Sequence, residues 1–215
     1  MHAEIVDPPA LGGGLIEISP GLALPGVAMT FAANEEIYAE EQPVDFVYKV
    51  ISGAVRTTRM LSDGGRQIGA FYLPGDVFGM QCGERHRFSA EAVTLSEIAL
   101  VRRSTLERAA ESDSVTARRL WSLTSHELEE IQDHVLLLGR KDAATRVSHF
   151  LLRLAMRVSS PIVELPMTRG DIADYLGLTL ETVSRTMSQL ARDQAIALPS
   201  ARRVVLWDPA ALAMA

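Results

Sequence analysis

The stretch TRGDIADYLGLTLETVSRTMSQLARD, Thr168 to Asp193, restricts the possible folds more than any other part of the chain. Thr168 is followed three residues later by Asp171, the spacing at which a hydroxyl and a carboxylate close the first turn of a helix on each other. Gly177 stands where a helix C-terminus turns left-handed, and Thr179 is placed to cap a second helix. Two helices joined by a three- or four-residue turn containing Gly make a helix-turn-helix. Ile172, Ala173, Leu176, Leu178, Val183 and Met187 fall on one apolar inner face, with Ala173 small where the helices cross closely.

The outer face of the second helix is unusual for a solvated surface. Glu181, Ser184, Arg185 and Ser188 share one side of it, because residues three and four apart are neighbours on a helix. Arg185 can donate two hydrogen bonds to guanine O6 and N7, Glu181 can accept from the cytosine amino group, and Ser184 can meet a neighbouring base or a thymine methyl. Thr168, Arg169, Thr179, Thr182 and Ser188 are the candidate phosphate contacts, most of them at helix starts, where N–H groups and the dipole favour anions. The plainer use of the same residues is a surface Glu181–Arg185 pair of ~0.3–0.5 kcal/mol; such a pair would also orient both side chains. Residues 195–208 read as a small hairpin, a wing, with Arg202 and Arg203 at its turn and suited to phosphate.

Upstream the pattern changes. From about Thr30 to Arg103 short β-like runs alternate with turn chemistry at Ser52-Gly53, SDGG (62–65) and PGD (74–76), the spacing of a barrel or sandwich. Ser104 with Glu107 resembles a capping box opening a short helix. A long helix is expected from Asp113 to Gly139, on the order of 40 Å. Within it Trp121, Thr124, Leu128, Ile131, Val135 and Leu138 recur at alternating steps of three and four. That is the seam of a helix that pairs with a second copy of itself; a helix lying on its own barrel would also be amphipathic. Asp142 is placed to cap the next helix, just after a hinge at Arg140-Lys141, and IVELP reads as a short strand. The reading is α+β: a flexible lead-in (1–25), a β-barrel or jelly-roll domain (26–111), a dimerisation helix (112–140) and a winged helix-turn-helix (141–215).

Charge alone would not suggest DNA, since the formal net charge is −6. It is unevenly placed, however. Residues 140–215 carry 10 Lys+Arg against 7 Asp+Glu, a net +3, and residues 1–139 carry the remaining 11 and 20, a net −9. The first residues lack the basic start and apolar run of a signal peptide, and no apolar run approaches membrane-spanning length. With a single cysteine, Cys82, the expectation is a reducing, cytoplasmic setting without an intrachain disulfide. Phosphate-binding loops, zinc-ligand clusters and nucleophile elbows are missing from the sequence, so an enzyme is not expected.

The order of β-rich domain, long helix, hinge and winged helix-turn-helix, with Glu181, Ser184 and Arg185 in an E-x-x-S-R pattern, resembles the Crp/Fnr family of bacterial transcription regulators from about residue 25 onward. LTLETVSR and LGRKDAATRVSHFLLRLA look like its FixK branch. The resemblance implies a cyclic-nucleotide-binding-like sensor domain. It also implies a homodimer on double-stranded DNA reading TTGAT…ATCAA, with Arg185 on the guanine, Glu181 on the opposite cytosine and Ser184 on the outer thymine side. RNA polymerase is the implied further partner, through exposed loops such as 61–65 and 158–163, and an activator is the expected outcome. In cyclic-nucleotide binders of the family a glutamate holds the ribose and an Arg-Ser or Arg-Thr holds the phosphate. Here Met80 stands at the first position and Phe88-Ser89 at the second, with Arg87 one place early, so no cyclic nucleotide is expected. One cysteine cannot hold an iron–sulfur cluster that needs about four ligands. No cofactor is therefore expected; the alternative is haem-dependent gas sensing, with Cys82 and His86 as the ligand candidates.

Overall fold

The computed structural model describes residues 13–81, 83–139, 142–207 and 212 of the 215-residue chain. Contacts divide it into two units, one built from residues up to 55 and 72–125, the other from residues 56–71 and 126 onward.

The first unit is built on a five-stranded antiparallel sheet. Its strands are β1 (Leu15–Ser19), β2 (Leu22–Phe31), β4 (Phe46–Ser52), β7 (Val77–Phe78) and β9 (Ser96–Arg102), in the order β1-β2-β9-β4-β7, while β3 (Glu36–Tyr38) pairs with β8 (Ser89–Ala92). Alternation along the strands divides the apolar side chains between two clusters. Tyr48 and Val50 of β4, with Ile98 and Leu100 of β9, enter one cluster with Phe31, Tyr38 and Phe78. Val47 and Val101, which point the other way, join Ile18, Leu22, Leu24 and Leu106. The central strand β9 is thus buried on both faces from Ile98 to Val101, as its unbroken apolar run requires.

Two expectations change here. The segment expected as a lead-in forms strands from Leu15 onward, because Ile18, Leu22 and Leu24 alternate inward and bury in the second cluster. The capping box at Ser104 does not form. Helix α1 (Arg103–Ser112) starts two residues earlier than that box would set it, its cap Arg102 makes no side-chain cap bond, and the Arg103 N–H donates to Asp45 O. Glu107 pairs with Arg103 at 2.7 Å instead.

Helix α2 (Ser114–Leu138) starts on Asp113, whose carboxylate accepts the Val115 and Thr116 N–H groups and is held below its usual range chiefly by its bonds with Thr116. In the first unit its Leu120 and Leu123 pack against the sheet. The opposite stripe is bare within the chain: Trp121 is 76% exposed and Leu128, Ile131 and Val135 are exposed too, while Leu138 is half-buried. Thr124 turns its hydroxyl back onto the Leu120 and Trp121 carbonyls.

The second unit contains the β5–β6 hairpin (Val55–Met60 and Arg66–Tyr72, both strands mostly in this unit), the second half of α2, and helices α3 (Ala143–Arg157), α4 (Arg169–Leu176) and α5 (Leu180–Arg192). It ends in a three-stranded sheet in the order β10-β12-β11 (Ile162–Glu164, Arg203–Leu206, Ile196–Ser200). Asp142 caps α3 through the Ala144 and Thr145 N–H groups, as its position in the sequence suggests. Tyr175 of α4 lies against Phe71 of the hairpin and Phe150 of α3 and stacks on His134 of α2 at 3.9 Å. The hinge residues Arg140 and Lys141 lie outside the described residues.

Candidate nucleic-acid interface

Helix α4 opens with a complete capping box. Thr168 Oγ accepts from the Asp171 N–H at 3.1 Å, and Asp171 Oδ2 accepts from the Thr168 N–H at 2.9 Å and from its hydroxyl at 2.8 Å. It closes at Gly177, whose φ of 61° is left-handed, with the Gly177 and Leu178 N–H groups both returning to Ala173 O. A side chain here would be strained. Arg146 of α3 donates to the Leu176 carbonyl at 2.9 Å and so holds the turn from behind. Two residues on, Thr179 Oγ accepts the Thr182 N–H and starts α5.

Val183, Met187 and Leu190 bury one side of α5, which leaves Glu181, Arg185 and Ser188 exposed and Ser184 half-exposed on the other. Among the described residues no hydrogen bond or ion pair engages Glu181 or Arg185, so the surface pair that their spacing allows is not made. A carboxylate and a guanidinium one helical turn apart, both without partners, present an acceptor and a planar fork of donors outward. Major-groove base edges require that combination.

The expected phosphate contacts fall into two groups. Thr179 and Thr182 sit at the start of α5, their hydroxyls 3.0 Å apart, and Thr168 and Arg169 at the start of α4. The Thr168 hydroxyl is already engaged by Asp171, the Ser188 hydroxyl donates to Ser184 O, and Arg169 is half-buried with its Nε enclosed. At the wing, Arg202 donates to Pro166 O at 3.1 Å and Arg203 pairs with Glu164 at 3.2 Å, both in exposed positions. Such exposed pairs exchange readily for a phosphate.

A partner set that sequence reasoning missed holds Asp171. Its second oxygen, Oδ1, receives Arg56 at 3.1 Å and Arg66 at 2.7 Å, and Arg66 also meets Asp174 at 2.7 Å. Burial opposes the Asp171 charge, but the Thr168 bonds and then the two arginines outweigh it and hold the carboxyl below its usual range. Those arginines precede Asp171 by 115 and 105 residues, a separation that no local pattern reports.

His86 also departs from expectation. It reads as part of a polar loop, yet its ring is 0% exposed and stacks on Tyr38 at 3.6 Å. Burial lowers its pKa to about 4, against the opposing charge of Asp45. Both ring nitrogens are enclosed without a hydrogen-bond partner. Cys82, the other ligand candidate, lies outside the described residues. The Ser89 hydroxyl accepts the Glu40 N–H, and Met80 packs into the apolar cluster around Val47. Among the described residues no helix is long and apolar enough to cross a membrane.

Residues 145–215 match the Crp-like helix-turn-helix domain, and residues 28–113 match the cyclic nucleotide-binding domain. The nitrogen fixation regulation protein FixK of Azorhizobium caulinodans is 51% identical over 193 residues, covering 87% of this chain and 78% of that protein. The FixK of Rhizobium meliloti is 42% identical over 190 residues, covering 87% of this chain and 86% of that protein. The solved structure of FixK2 from Bradyrhizobium japonicum superposes with a TM-score of 0.85 at 49% identity, covering 88% of this chain and 96% of that one.

Proposed function

The chain belongs to the Crp/Fnr family of transcription regulators, in its FixK-like branch, and we propose that it acts as a homodimer that needs no small-molecule effector to read palindromic TTGAT…ATCAA sites. Its fold is the family's: a cyclic-nucleotide-binding-like β domain, a long helix and a C-terminal winged helix-turn-helix that binds DNA. The family is one of regulators, not of enzymes.

One observation carries the reading. Glu181 and Arg185 stand exposed and unengaged on a helix whose start and preceding turn are fixed by hydrogen bonds and whose rear face is packed through Val183, Met187 and Leu190. The backbone that carries the pair is preorganised, so a guanine–cytosine pair has only the two side chains left to order, and neither must first give up an internal partner. The bare seam of α2 supplies the symmetry, since two copies meeting along it would present two reading helices to half-sites about one DNA turn apart. Independence from effectors is supported by three local facts: Met80 at the ribose position, Ser89 already hydrogen-bonded, and a His86 locked into the aromatic core. Activation through contacts of RNA polymerase with loops 61–65 and 158–163, in the cytoplasm, completes the proposal.

The test is an electrophoretic shift with the purified full chain and a duplex carrying both half-sites, with nothing else added. A retarded band that is lost when the half-sites are scrambled is the expected result. A shift that appears only on addition of cyclic AMP, haem or carbon monoxide would overturn the effector-free part.

A further inference from the structure

The β5–β6 hairpin lies between strands of the N-terminal domain in chain order, yet its residues 56–71 group with the helix-turn-helix. The attachment is polar and specific. Arg56 is 7% exposed and Asp171 2%, so their contact at 3.1 Å is a buried ion pair. Arg66 bridges two carboxylates of the same helix, Asp171 at 2.7 Å and, through Nε at 2.8 Å, Asp174. Beside it the Gln67 amide donates to the Asp174 backbone carbonyl at 2.8 Å. Ile68 is fully buried and Phe71 lies against Tyr175, so an apolar contact backs the ionic one.

The consequences follow from the place of Asp171 in α4. It is the third residue of the helix, and its other oxygen closes the capping box on Thr168. The hairpin therefore grips α4 at the turn where its backbone N–H groups emerge. α4 is in turn joined to α5 by the fixed left-handed turn at Gly177, which Arg146 secures. From Arg66 to Arg185 the path runs through the ion pairs on Asp171 and Asp174, the capping box, the turn at Gly177 and the Thr179 cap. A guanidinium that bridges two carboxylates a helical turn face apart sets an angle as well as a distance, which a lysine ammonium cannot do.

We propose that Arg66, together with Arg56, is a positioning residue for base reading: the hairpin sets the orientation in which α5 presents Glu181 and Arg185, so that sequence preference depends on residues far from the DNA. This rests on the DNA-reading role assigned to α5 above. The hairpin thereby becomes a place where a change outside the helix-turn-helix alters affinity without touching the reading face.

The experiment compares the full-length wild type with Arg66→Gln and Arg66→Lys by fluorescence anisotropy, at one fixed salt concentration. One labelled duplex carries the two TTGAT half-sites and the other carries scrambled half-sites. Preference for the specific duplex is expected to fall about 2- to 30-fold in Arg66→Gln. It should fall less in Arg66→Lys, which keeps one ion pair. The circular dichroism and the affinity for the scrambled duplex should remain unchanged. Wild-type preference in both variants would overturn the proposal, as would a parallel fall on both duplexes, the mark of lost folding alone. If the wild type itself shows no preference, the half-site reading fails, and amide hydrogen exchange then judges the grip without DNA. Faster exchange across residues 168–192 in Arg66→Gln supports it, and unchanged exchange rejects it. Should Arg66→Gln fail to fold, Arg66→Lys carries the same comparisons.

Discussion

Arg185 and Ser188 both lie on the exposed side of α5, but they are unequal as readers of DNA. Ser188 spends its hydroxyl on the carbonyl one turn back, whereas the Arg185 guanidinium has no partner among the described residues. Truncation of Arg185 to Ala removes no internal contact, so its effect should be confined to recognition. Affinity for the TTGAT duplex is expected to drop by about 1–3 kcal/mol for each guanine contacted, with the melting temperature unchanged. An isothermal titration that finds equal affinity for wild type and Arg185→Ala would remove the role assigned to this residue. The two helices and the turn that carry Glu181 and Arg185 were legible because their signals are local: Thr168 and Asp171 three apart, Gly177 at the turn and Thr179 at the next cap; the Arg146 contact behind the turn was not. Asp171 was legible only by half. Its Oδ2 satisfies a motif three residues long, while its Oδ1 answers to Arg56 and Arg66, which folding alone brings to it.

At the scale of elements, period and punctuation carried most of the information. The turn glycines Gly53, Gly64 and Gly75, all at positive φ, separate the strands as the sequence suggests. β1 and β2 were obscured because Pro and Gly in PPALGGG and LPGVA mask the inward alternation of Ile18, Leu22 and Leu24. His86 was obscured by its charged neighbours. Its burial comes from Tyr38, a ring contributed by a different strand. For α2 the sequence left two uses of the seam open, a partner copy or the chain's own sheet. The structure narrows them. Leu120 and Leu123 turn to the sheet, while Trp121, Leu128, Ile131 and Val135 are left uncovered within the chain. Ile131 is 51% exposed, so Ile131→Glu should not disturb the fold of a single chain and should act only where a second copy is met. The variant is expected to sediment as a monomer and to lose about 100-fold or more in affinity for the two-half-site duplex, because the second reading helix is no longer tethered. A dimer in sedimentation equilibrium would show that another surface pairs the chains.

At the scale of the molecule, each unit encloses, among the described residues, one histidine whose neutrality is required by its surroundings. In the first unit His86 stacks on Tyr38, and in the second His134 stacks on Tyr175; both have pKa values lowered to about 4. Burial is the main cause in each case. Asp45 opposes it at His86, whereas Arg153 adds to it at His134. In an unfolded chain each would titrate near 6.5. Above that value both states are neutral and the stability is fully present. Between pH 6.5 and 4 the unfolded chain binds protons that the folded chain refuses, so stability must fall as the pH falls, by up to about 3 kcal/mol per histidine. The capped carboxylates Asp113, Asp142 and Asp171 are held below their usual range, so their contribution is lost only at still lower pH. Acid should therefore weaken this protein well before those three carboxylates protonate. Thermal melts of the wild type from pH 7 to 4.5 should show a falling midpoint. Replacement of His86 and His134 by Phe, which keeps the stacking and removes the proton site, should flatten that fall, with the melting midpoint at pH 7 little changed. If the double variant loses stability over this pH range as steeply as the wild type, buried imidazoles are not what limits the fold in acid.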